Sequence, residues 1–186
     1  MKALLCHEFG PVEALHVEEV PAPSVRPGRA LIETRACAVS FPDVLMVQGL
    51  YQYKPRFPFA PGAELSGIVR AVGEGVTNVR VGDRVVANTG YGSLAEQVAV
   101  PAQLCIPFPD NVGFVEASAF LSAYGTSYHA LHDRGHLQPG ETVLVLGAAG
   151  VSGSRPSSWP SPTVPRSSPP PGATRSWRSA VSAAPP

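Results

Sequence analysis

Residues 141–150 read ETVLVLGAAG, an unbroken apolar strand that runs straight into a glycine-rich turn. A strand without polar alternation is apolar on both faces, as in the interior of a parallel sheet. A Gly-rich turn directly after such a strand opens a nucleotide-binding α/β domain. The rest of that domain needs roughly a hundred more residues of alternating helix and strand. Residues 151–186 cannot supply them: these 36 positions hold ten Ser, nine Pro and four Arg, with no Leu, Ile, Phe, Lys or acid. A segment this poor in apolar residues cannot bury a core and is expected to be disordered.

The first hundred residues have a different texture. Short β-favouring runs over 30–38, 63–72, 84–87 and 93–100 are separated by turns at Pro27-Gly28, Pro61-Gly62, Gly73-Glu74-Gly75 and Val81-Gly82-Asp83. That spacing predicts a small antiparallel barrel or sandwich. After Pro109-Asp110 the pattern changes, and residues 115–132 (VEASAFLSAYGTSYHALH) predict a helix interrupted or kinked near Gly125.

Charge and cysteine usage exclude several functions. Residues 1–150 carry ten basic and fourteen acidic side chains, a net −4, which argues against a nucleic-acid or anionic-membrane partner. Three cysteines, Cys6, Cys37 and Cys105, form no C-x-x-C pair and suggest neither a disulfide scaffold nor a cysteine-rich zinc module. The apolar start Met1–Cys6 is broken by His7 and Glu8 before a secretory leader is complete, so a cytoplasmic protein is the default expectation.

A series of motifs in order identifies a family resemblance. Pro61-Gly62-Ala63-Glu64-Leu65-Ser66-Gly67 followed by Gly73 and Val76, then Val81-Gly82-Asp83-Arg84-Val85, Gly92-Ser93-Leu94-Ala95-Glu96 and Pro139-Gly140-Glu141-Thr142-Val143-Leu144-Val145 resemble the N-terminal part of zinc-independent medium-chain dehydrogenases/reductases of the quinone oxidoreductase type. The glycines have a plain structural reading as turns, bulges or positive-φ positions. The resemblance implies a mostly β GroES-like barrel over residues 1–112, the beginning of an incomplete α/β Rossmann domain over 113–150, and a Ser/Pro/Arg-rich tail over 151–186. It implies an NAD(P)H-dependent reductase of quinones or α,β-unsaturated carbonyls, with NADPH or NADH as cofactor, a small-molecule substrate, and a homodimer left open for the full-length protein.

The same resemblance nominates site residues. Ser40 and Asp43 occupy a polar turn where relatives carry N-x-x-D, and Tyr51 matches their G-x-Y. Tyr51 could hydrogen-bond a substrate oxygen or simply pack at the rim, and Ser40 and Asp43 equally suit helix capping. Thr126 corresponds to a threonine beside the nicotinamide, and Gly147, Ala148, Ala149 and Gly150 match the opening of the pyrophosphate loop G-A-A-G-G-V-G. No metal is expected: zinc-dependent relatives place Cys and His where this chain has Ser40 and Ala63. A zinc-dependent alcohol dehydrogenase is therefore a weak alternative, as is a metal site at His129, His132 and His136; a nonenzymatic interaction module is another.

The tail reads as a shift of frame after Gly150. With one base lost there, the codons of residues 151–161 permit G-V-G-L-A-A-V-E-L-A-K in the neighbouring frame, which completes the glycine motif and continues as a helix. Trp159 has a single codon, and its last base joined to the first two of Pro160 forces Ala where that helix wants it. A native disordered arm is the competing reading.

Overall fold

The computed structural model describes residues 1–138 together with Glu141, Val143 and Val145. The chain divides after Leu121 into two units.

The first unit is built on a five-stranded antiparallel sheet in the order β6-β3-β4-β5-β7, comprising β3 (Arg29–Ala38), β4 (Glu64–Val72), β5 (Arg84–Asn88), β6 (Gln97–Pro101) and β7 (Cys105–Pro107). A hairpin of β1 (Lys2–Leu5) and β2 (His16–Glu19) lies beside it, joined through bridges Ala3↔Ala95 and Cys6↔Phe59. Ala30, Ile32, Leu65, Val69, Val85, Ala87 and Val100 alternate along their strands and form the main core, as a pleated strand requires. The expected mostly β barrel is thus observed.

Two bulges bend the central pair. Arg70 and Arg35 are the extra residues, at register shifts between Leu31/Ile32 and between Thr34/Ala36. Glu33 lies between them and pairs with both, at 2.5 Å from Arg70 Nε and 2.7 Å from Arg35 Nη2. The Arg70 hydrogen bond holds the Glu33 carboxyl below its usual range. Gly67 sits opposite Thr34 beside one bulge. A Cβ there would collide with the Glu33 carbonyl oxygen and with Ile32, so this glycine serves close approach of backbones rather than positive φ. Gly62 and Gly82 do have positive φ.

The strand expected over 93–100 begins later. Ser93 and Leu94 donate instead to Gly62 O (2.9 Å) and Pro61 O (3.0 Å), crossing over the P-G turn before β6 starts at Gln97. Helix α1 (Phe41–Val47) packs Met46 and Val47 with Cys6 and Phe59 in a second cluster; burying each such side chain is worth about 1.5–3 kcal/mol. The short helix α2 (Phe114–Ser118) covers the other face of β4, which explains why residues 64–67 are all buried.

The helical path leaves α-geometry at Ala119 (φ −106, ψ 9) and resumes as a wide turn over Leu121–Gly125. In the second unit, α3 (Thr126–Tyr128) leads into another wide turn, His129–Arg134. The expected helix is present: it leaves α-geometry at Ala119, and its winding changes again at Gly125, where the wide turn gives way to α3, although the dihedrals of Gly125 itself are helical. No described helix is long and apolar enough to cross a membrane. The strand expected over 141–146 falls largely, and Gly147–Gly150 and the tail fall wholly, outside the described residues.

Candidate active site

The polar turn after β3 is fixed by one buried carboxylate. Ser40 N and Oγ donate to Asp43 Oδ2 at 2.7 and 2.8 Å, while Gly62 N donates to Oδ1 at 3.2 Å. Pro42 follows at the start of α1, where a missing N–H costs nothing. Asp43 is 3% exposed and both its oxygens are engaged. It therefore ties the N-terminus of α1 to the P-G turn, a capping arrangement that also complements the helix dipole.

Cys37 and Gly62 meet across this turn. Gly62 has φ +91, and a Cβ on it would stand 2.8 Å from Cys37 Sγ. Burial, with the nearby Asp43 and Glu64 charges, pushes the Cys37 thiol up to about 12. Ala63 carries no donor side chain, and its carbonyl accepts Thr89 N (2.7 Å) and Oγ1 (3.2 Å). The donor set around Ser40 and Ala63 thus lacks the thiolate and imidazole that zinc selects. Among the described residues no three His, Cys, Asp or Glu are grouped to hold a metal; His129 pairs with Asp133 at 2.8 Å and His132 stacks on Tyr128 at 4.5 Å.

Tyr51 follows α1, its N–H bound to Leu45 O at 3.1 Å and its ring packed on the cluster of Cys6, Met46, Val47 and Phe59. Phe59 in turn contacts Phe57 (5.7 Å) and Tyr91 (6.2 Å), and Tyr91 contacts Tyr53 (5.7 Å). The Tyr53 hydrogen bond raises the Tyr91 phenol. Sequence reasoning passed over this aromatic group, although the run YQYKPRFPF over 51–59 carried its signal. It also read Glu64 and Ser66 as fold markers only. Both side chains are buried and reach the far segment: Ser66 Oγ donates to Phe114 O (2.6 Å) and Glu64 Oε1 accepts Leu121 N (2.5 Å).

Arg84 explains the V-G-D-R-V motif. Its guanidinium donates to Asp110 O (2.8 Å) and Val112 O (2.6 Å) and lies over the rings of Phe108 and Phe114 at 4.7 and 4.6 Å. Of the residues expected to hold a cofactor, only Thr126 lies among the described residues; it is exposed, at the start of α3.

These features define a class: a GroES-like barrel whose strand-to-helix turn is polar but lacks zinc-type ligands. Residues 26–110 match the alcohol dehydrogenase GroES-like domain. The chain is 38% identical over 152 residues to quinone oxidoreductase-like protein 2 of Mus musculus, covering 82% of this chain and 43% of that protein. It is 40% identical over 155 residues to the synaptic vesicle membrane protein VAT-1 homolog of Homo sapiens, covering 82% and 39%. A quinone oxidoreductase from Thermus thermophilus, solved also in complex with NADPH, superposes with TM-score 0.72 at 35% identity over 83% of this chain and 48% of that one. The chain spans about two fifths of the length of the curated relatives it matches. Over its first part the chain is similar to the N-terminal part of medium-chain dehydrogenases/reductases of the quinone oxidoreductase type, with the alcohol dehydrogenase GroES-like domain at residues 26–110.

Proposed function

We propose that residues 1–150 are the N-terminal part of an NAD(P)H-dependent reductase of quinones or α,β-unsaturated carbonyls, and that the 186-residue chain itself has little such activity. The observation carrying this reading is the Ser40–Asp43–Gly62 lattice, in which hydrogen bonds tie the strand-to-helix turn, with Ser40 and Ala63 in place of zinc-type ligands, to the P-G turn. The names of the relatives supply the reaction class. A nicotinamide cofactor would supply hydride, with Thr126 and residues 147–150 holding it. The chain's own residues then orient the substrate: Tyr51 donates a hydrogen bond to the carbonyl oxygen that gains charge, and Ser40 and Asp43 fix the turn beside it.

The low activity of the 186-residue chain follows from residues 151–162. That span, which lies outside the described residues, holds Pro156, Pro160 and Pro162, each lacking the backbone N–H that a helix interior uses. A pyrophosphate would need converging N–H groups and a helix dipole at that point. A frame shift after Gly150 accounts for this composition. The experiment compares the chain with its frame-restored product in a quinone-dependent NADPH oxidation assay; equal activity of the two refutes the proposal.

A second reading, a nonenzymatic interaction module, is favoured by the exposed rings of Phe9, Tyr53, Phe57 and Tyr91. Micromolar cofactor binding by the restored protein would count against it.

A further inference from the structure

Strand β4 grips the helical segment 114–121 from one face at two points. Glu64 and Ser66 are two residues apart, so both point to the face opposite Leu65. Ser66 Oγ holds Phe114 O at the start of α2, and Glu64 Oε1 takes Leu121 N just beyond its end. Both side chains are buried, at 2% and 0% exposure. Between the two anchors the helix departs from α-geometry at Ala119, and from Leu121 it is wound more widely.

Helix irregularities have identifiable causes: proline, glycine, a wide-turn insertion, or a side chain entering the backbone ladder. Residues 114–121 contain neither Pro nor Gly. A carboxylate drawing Leu121 N–H towards β4, however, enters the ladder where the winding changes. We propose that Glu64 is a positioning residue: its carboxylate sets the change of winding at 119–121, with Ser66 as the fixed end of the grip. This positional role stands without the proposed activity.

The test is hydrogen exchange on the whole 186-residue chain and its E64A, E64Q and S66A variants. E64A speeds exchange of backbone amides at 119–124 by about tenfold or more through local opening, while amides of β3 and β5 keep their protection. E64Q keeps an acceptor and restores most of the protection, and S66A loosens 114–118 more than 119–124. E64A exchange at 119–124 within about twofold of wild type overturns the proposal, as does an equal acceleration across every strand. Should E64A fail to fold, the Leu121 amide proton resonance of E64Q decides. Loss of the charged acceptor moves it upfield, and an unmoved resonance overturns the proposal.

Discussion

Replacing Arg84 by Ala removes a staple between β5 and the segment that enters α2. The side chain is 22% exposed and its two shortest hydrogen bonds, 2.6 and 2.8 Å, go to the backbone carbonyls of Val112 and Asp110. A hydrogen bond from a charged donor contributes about 1.5–3 kcal/mol, and stacking on Phe108 and Phe114 adds about 0.5–1 kcal/mol for each ring. The Asp110 carboxylate is 95% exposed, so its ion pair adds little. Because these contributions overlap, about 3 kcal/mol is expected for Arg84→Ala, enough to lower Tm by roughly 10 °C in a domain of this size. Arg84→Lys keeps the charge but loses the planar fork and should recover less than half of that. Urea unfolding of both variants, with Asp110→Ala as control, measures the effect. A loss under 1 kcal/mol for Arg84→Ala, or wild-type stability for Arg84→Lys, would refute the reasoning.

Gly67→Ala forces β3 and β4 apart at the bulge and should cost about 1–3 kcal/mol in the same unfolding measurement. Asp43→Ala leaves Ser40 and Gly62 donors without their buried acceptor and should cost about 1–3 kcal/mol, with Asp43→Asn losing less. The folded-state pKa of Cys37, about 12, lies above the ordinary 9.0, so its contribution to stability is present below about pH 9 and lost as pH rises towards 12; Cys37→Ala should flatten the stability profile across that window. In the frame-restored protein, Tyr51→Phe should lower kcat/KM about tenfold or more, roughly 1.4 kcal/mol of transition-state stabilisation, and an unchanged value would leave Tyr51 a packing residue.

The strands that define the core were legible because alternation and turn glycines mark them directly: β3 and β4 lie within a residue of their expected bounds. The start of β6 was not, because Ser93–Glu96 alternates like a strand while its backbone groups are taken by the P-G turn, β1 and β3. The interruption of the expected 115–132 helix was placed near Gly125, where the winding does change; the departure at Ala119, two residues before the amide that Glu64 holds, was not legible, because that contact joins positions 57 apart in sequence. Ser40 and Asp43 were legible as a capping pair from their spacing. That Asp43 also binds the Gly62 N–H was not, since it depends on how the turn folds back.

The proposal is that residues 1–150 are the first part of a nicotinamide-dependent reductase and that a shift of frame follows Gly150. Titration of NADPH into the 186-residue chain and into the product with one base restored after Gly150 tests it most directly. The account predicts micromolar binding by the restored protein, near −8 kcal/mol, and none by the 186-residue chain. Equal binding by the two, or none by either, would contradict it.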